Sequence, residues 1–192
     1  MNTIDYEAFS DMVRDALRAS FADLLASNPD RTFYAFAVFT DDSLQFAHPV
    51  ANTEEGLTAT LRRYNEEVDP KHGMTSTRNG MRWAYGDWEF FPDVGAEHFQ
   101  RINEILGENF CADENEFEKQ IEPLWQAMLD GFRKLENEGF FGTGESRSTI
   151  TLLVVGHVPD EITDVWITEL NPPDVAQRCL DWDCDAPDVP AT

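Results

Sequence analysis

The sequence predicts a single α+β domain, an antiparallel sheet of about four strands packed with four to five helices. Three observations predict it. Phe117, Ile121, Leu124, Trp125, Met128, Phe132 and Leu135 recur at steps of three and four, which gathers them on one face of a helix over about 116–138. The run 149–156 that follows is short, β-branched and apolar on both faces, the pattern of an inner strand. A chain of 192 residues, 42% hydrophobic and without internal repeats or a dividing linker, can bury one full core. The order of elements reads αββα-αα-ββα, which places helices against one antiparallel sheet.

The first helix spans residues 5–26, with Phe9, Met12, Val13, Ala16, Leu17, Phe21, Leu24 and Leu25 at helical spacing. Asn28, Pro29 and Asp30 end it. Residues 32–39 form a central strand with little polar alternation. Asp41 and Asp42 then suggest a tight hairpin to a second strand over 43–48, which Pro49 closes. Asn52 or Thr53 caps a second helix that runs to about Val68, with Glu54 and Glu55 where the helix dipole favours acids. Its inner face carries Leu57, Leu61 and Tyr64.

Residues 69–80 hold Pro70, Gly73, Asn79 and Gly80 and read as a polar loop. The aromatic stretch 81–91 is either a short strand or a loop lying on the core, and Pro92 closes it. A third helix covers about 95–106, with Phe99, Ile102, Ile105 and Leu106 inward. Asp113 or Asn115 caps the main helix, and Gly139 sits where a helix stops. Burying each of the seven apolar side chains of that helix is worth roughly 1.5–3 kcal/mol before entropy is charged. After the strand at 149–156, Pro159 and Asp160 turn the chain into another strand over 163–170. The short turn makes the two an antiparallel pair. Residues 171–174 open a last short helix through about Leu180, with proline in its first turn. The domain covers 1–180, and 181–192 is an acidic flexible tail.

Charge is the outlier of the composition: 37 acids against 14 lysines and arginines, a net of −23. Such a surface repels nucleic acid, whose affinity comes from cations neutralising phosphates, and an anionic membrane for the same reason. It attracts and steers a basic partner. The plainer account is solubility or adaptation to salt. Acids gather at 104–122, with seven acids and one lysine, and again in the tail.

Cys111, Cys179 and Cys184 are odd in number and form no disulfide framework or zinc spacing, which points to a reducing compartment. The first residues carry no basic region followed by an apolar core, and no segment approaches a membrane span. The cytoplasm is the expected location.

Candidate chemistry is sparse. His48, His72, His98 and His157 have no partner at metal-ligand spacing, although His48 and His157 could meet across the sheet. No nucleophile elbow or Cys–His signature is present. Gly142-Thr143-Gly144-Glu145 lies after a helix and before a strand, whereas a phosphate cradle needs its amides at a helix start. No metal or cofactor is expected. The binding candidates are Trp83, Tyr85 and Trp88 of the aromatic stretch, with Glu89 and Glu145. Exposed tryptophan and tyrosine anchor interfaces and pockets, while buried ones close the end of a core.

Several stretches together carry a resemblance: FYAFAVFTDD at 33–42, PVANTEEGL at 49–57, Arg82-Trp83 with Asp87-Trp88, Leu124-Trp125, EGFFG at 138–142 and Asn171-Pro172-Pro173. The chain resembles the bacterial domain-of-unknown-function family numbered 4303, from the first helix to about Cys179. These motifs are structural rather than catalytic. The resemblance implies no activity and lends no catalytic residue. The resulting expectation is a non-catalytic, acidic interaction module of the immunity-protein kind that binds a basic protein. The alternative is an enzyme or small-ligand binder with a pocket near 81–91.

Overall fold

The computed structural model describes residues 4–72, 75–92, 94–110 and 114–182. In chain order its elements are α1 (Tyr6–Ser27), β1 (Phe33–Asp41), β2 (His48–Thr53), α2 (Glu54–Arg63), α3 (Arg78–Met81), α4 (Gln100–Phe110), α5 (Glu114–Asn137), α6 (Glu145–Ser148), β3 (Thr151–His157), α7 (Asp160–Leu170) and α8 (Pro173–Leu180). Asp5 starts α1 by accepting the Ala8 N–H at 3.0 Å, which satisfies one of the donors a helix start leaves open. Thr53 does the same for α2 through the Gly56 N–H at 2.9 Å. A π-helical turn over Tyr64–Val68 extends α2. Gly139, at φ +73°, ends α5 in the left-handed conformation glycine adopts without strain.

The sheet is mixed and three-stranded, in the order β2-β1-β3. β1 runs antiparallel to β2 and parallel to β3. Its side chains alternate between two apolar layers. Phe36 and Val38 join α1, α4 and α5 in the larger core with Phe21, Ile102, Leu124 and Phe132. Ala35, Ala37 and Phe39 face Leu57 of α2, Trp88 and Cys179 of α8. The long helices α1 and α5 lie against each other so closely that a Cβ on Gly131 would stand 2.6 Å from Val13 Cγ1.

Four expectations are corrected. Residues 43–47 are a loop, not a strand. Leu44 is buried at φ +49°, and the backbone of Ala47 is spent on Asn103, whose carboxamide accepts from Ala47 N at 2.7 Å and donates to Ala47 O at 3.1 Å. The hairpin partner starts later, at His48, and Pro49 sits inside β2 opposite Val38, tolerated because β2 is an edge strand.

Residues 163–170 belong to α7. Ile162 and Thr163 donate to Pro159 O to start the turn, and Trp166 and Leu170, four apart, are buried on one side. Trp166 meets Trp125 of α5 with ring centroids 4.4 Å apart.

β3 therefore pairs with β1 alone, and in parallel, reached by a crossover through the intervening helices rather than by a hairpin. The fourth-strand position beside β3 is taken by Asn171. Its Oδ1 accepts from Leu152 N at 2.8 Å and its Nδ2 donates to Leu152 O at 2.7 Å. The described residues form eight α-helices against the four to five expected, two of them the single turns α3 and α6. The Asn115 side chain, Asp113, Cys111, Cys184 and the tail from residue 183 lie outside what is described. No helix among the described residues is long and apolar enough to cross a membrane.

Candidate functional site

The aromatic stretch lies as a coil over the second face of the sheet. Thr77 caps α3 by accepting from Gly80 N at 2.9 Å. Phe90 pairs with Ala51 in both directions, at 3.1 and 3.3 Å, along the outer edge of β2. Between these anchors the chain wraps around Tyr34. The Tyr34 hydroxyl donates to Arg82 O at 2.7 Å and accepts from Asn52 Nδ2 at 2.8 Å. The Arg82 guanidinium stands 4.0 Å above the Tyr34 ring and 5.6 Å from the Trp83 ring, a stacked cation. Glu54 holds that cation at 2.8 Å and pairs also with Arg78.

Four of the five predicted binding residues come together here. Trp83 meets Tyr34 edge-on at 5.7 Å. Tyr85 packs 5.9 Å from Phe39 and 6.2 Å from Phe91. Trp88 is only 4% exposed and donates from Nε1 to Arg82 O at 3.2 Å. Glu89 is held by Arg31 at 2.7 Å and by the Thr53 hydroxyl. Gly56 makes room for it, since a Cβ there would come within 2.6 Å of Glu89 Cβ. Glu145 is elsewhere. It is exposed on the rim of a shallow, open groove of about 460 Å³ lined by Gly144, Arg147, Ser148, Pro172 and Asp174.

The electrostatics of the cluster are those of a locked platform. Burial pushes the Tyr34 hydroxyl far above its ordinary range, so it stays protonated. Burial also pushes Glu54 up, but the hydrogen bonds and charges of Arg82 and Arg78 outweigh it and hold the carboxyl below its usual value. The Cys179 thiol is pushed up to about 11, first by burial and then by the Asp164 carboxylate. Neither Tyr34 nor Glu54 is poised for proton transfer near neutral pH, and Cys179 is not a ready thiolate. The sequence reading missed Tyr34, Asn52, Glu54, Arg78 and Arg82. The one local signal was Arg78 and Arg82, four residues apart, the first in the polar loop at 69–80 and the second in the aromatic stretch at 81–91.

The histidines do not assemble. His48 sits opposite Phe39 on β2 and His157 opposite Asp41 on β3, so β1 separates them, by two strand spacings or ~10 Å. Among the described residues, one group could share a cation: Asp23, Glu97 and His98. His98 Nε2 lies 2.9 Å from Asp23 and 3.8 Å from Glu97, and both carboxylates are largely exposed. A surface hydrogen bond between His98 and Asp23 accounts for that geometry.

The charge surplus has a structural counterpart. At least eleven of the 14 lysines and arginines hold ion pairs with the chain's own carboxylates, from Arg14 to Arg147. Lys134 is typical: it bridges Glu7 and Asp11 at 2.7 and 2.9 Å and ties α5 to α1. Acids outside these pairs include Asp5, Glu161 and Asp164, which are exposed, and Asp69, which is buried and accepts from Ser76 N at 2.6 Å.

The family model described as Domain of unknown function (DUF4303) covers residues 13–172. No curated protein and no solved structure matches the chain.

Proposed function

The chain belongs to the DUF4303 family, and from that premise, which carries no activity with it, we propose that it is an acidic interaction module that binds a basic protein. The concrete version is an immunity-protein-like role, in which the module holds a cationic effector inactive by covering it. The observation that carries the reading is the commitment of the cations. With most lysines and arginines paired to the chain's own carboxylates, few cations are left to offset the other acids, and the net charge of −23 favours a cationic partner. Such a field raises the association rate of a cationic partner and disfavours anionic ones.

A ligand pocket near 81–91 has less support. Trp88 is buried, Glu89 is held by Arg31 and Thr53, and the aromatic rings fill the space between α3 and the sheet. The test is affinity capture from native lysate of the source cells at about 0.15 M and about 0.5 M salt. The expected result is a basic protein recovered at one-to-one stoichiometry at the lower salt and weakened at the higher. Recovery of no stoichiometric basic partner at either salt overturns the reading.

A further inference from the structure

The solvent face of α7 departs from what a surface helix needs. Glu161, Ile162, Asp164, Val165, Thr168 and Glu169 all point to water, while Trp166 and Leu170 anchor the other side. Ile162 is 43% exposed and Val165 53%. The two are three apart, so their side chains are neighbours on the helix surface. β-branched residues are poor helix formers, and at exposed positions packing does not repay them. Around this apolar pair the charge has one sign. The helix carries Asp160, Glu161, Asp164 and Glu169 and no lysine or arginine. Glu169 is paired with Arg133 of α5. Asp160, Glu161 and Asp164 hold no ion pair among the described residues.

We infer that this face is the docking surface for the partner, and that the partner presents a cationic amphipathic helix: an aliphatic stripe over Ile162 and Val165, with lysines or arginines against Asp160, Glu161 and Asp164. The inference rests on the acidic-module reading above and adds the location and the partner's shape. Charge complementarity selects this occupant over a second copy of the chain. A two-fold contact through α7 would set each of those three acids near acids of the other copy.

The probe is a fluorescein-labelled amphipathic helical peptide of leucine and lysine, against a scrambled peptide of the same composition. Both are titrated by fluorescence anisotropy into the full chain at about 0.15 M salt. The helical peptide is expected to bind about tenfold tighter than the scramble, a difference of about 1.4 kcal/mol. The Ile162→Ser/Val165→Ser variant, altered only at exposed side chains, is expected to abolish that preference. Leu25→Ser, an exposed apolar residue on α1, should leave it intact. Asp160→Asn/Glu161→Gln/Asp164→Asn should weaken binding about tenfold and flatten its salt dependence.

If the peptide binds but Ile162→Ser/Val165→Ser changes nothing, the assignment to α7 is overturned while the acidic-module reading stands. If neither peptide binds even at low salt, both fall. If sedimentation equilibrium finds a dimer that Val165→Ser dissolves, a second copy covers the face and the inference is wrong.

Discussion

Arg147 is a charged side chain only 5% exposed, and its donors are committed in several directions. Nε meets both oxygens of Glu136 at 2.7 and 2.8 Å, Nη1 reaches Ile150 O, and Nη2 reaches Leu170 O at 3.2 Å. One guanidinium thus joins the ends of α5 and α7 to the start of β3. Removing it strands a carboxylate and two carbonyls, so Arg147→Met is expected to cost about 3–5 kcal/mol in urea denaturation. Arg62→Ala, at an exposed pair with Glu66, should cost at most about 0.5 kcal/mol by the same measurement. Glu54 makes a pH prediction. Its folded value is depressed, so its contribution is present above the ordinary glutamate range and is lost as pH falls through the lowered value. Tryptophan fluorescence should report loosening around Trp83 and Trp88 on that acid limb. In Glu54→Gln the signal should no longer titrate there. None of these roles is written in local sequence. Arg147 follows a glycine-rich turn and reads as a solvated cation until the fold brings Glu136 and Leu170 to it.

Elements were legible where one periodicity dominated. The stripe of α5, from Leu124 to Leu135, predicts a helix with its buried face, and Asn52 and Thr53 ahead of Glu54 and Glu55 offer the cap of α2, which Thr53 supplies. α7 was not legible because its local cues conflict. Thr163, Val165, Ile167 and Thr168 favour a strand by propensity. The helix is decided by two buried residues four apart and by a Trp125–Trp166 contact between residues distant in sequence. The sheet's parallel pairing was hidden for the same reason: misreading α7 supplied β3 with a false neighbour. The packing of α1 on α5 makes its own prediction. Gly131 lies where Val13 Cγ1 and Ser10 O crowd it at 2.6 and 3.0 Å. Gly131→Val must push the helices apart, and thermal unfolding should register a loss of about 1–3 kcal/mol.

At the scale of the whole molecule, a net charge of −23 works against compaction. Salt shortens the reach of that repulsion, to about 10 Å at 0.1 M and about 3 Å at 1 M. The melting temperature is therefore expected to rise by several degrees, roughly 4–8 °C per kcal/mol regained in a small domain and less in a larger one, between dilute buffer and about 0.5 M sodium chloride. A flat or falling melting temperature would show that internal ion pairs, not surface repulsion, dominate the electrostatics. The overall charge was readable from composition alone, and so was the aromatic stretch. What composition left out is that Trp88 faces inward and that most of the cations are already paired with the chain's own acids.

The two ends of the sheet have a consequence beyond stability. Phe90 clips the outer rim of β2 at Ala51, and the Asn171 carboxamide occupies the rim of β3 at Leu152. Unguarded rims are where one protein zips onto the next and seeds fibrils. Here one residue on each rim, Ala51 on β2 and Leu152 on β3, already has its outward N–H and C=O paired, so a strand added from another copy would first have to displace Phe90 or Asn171.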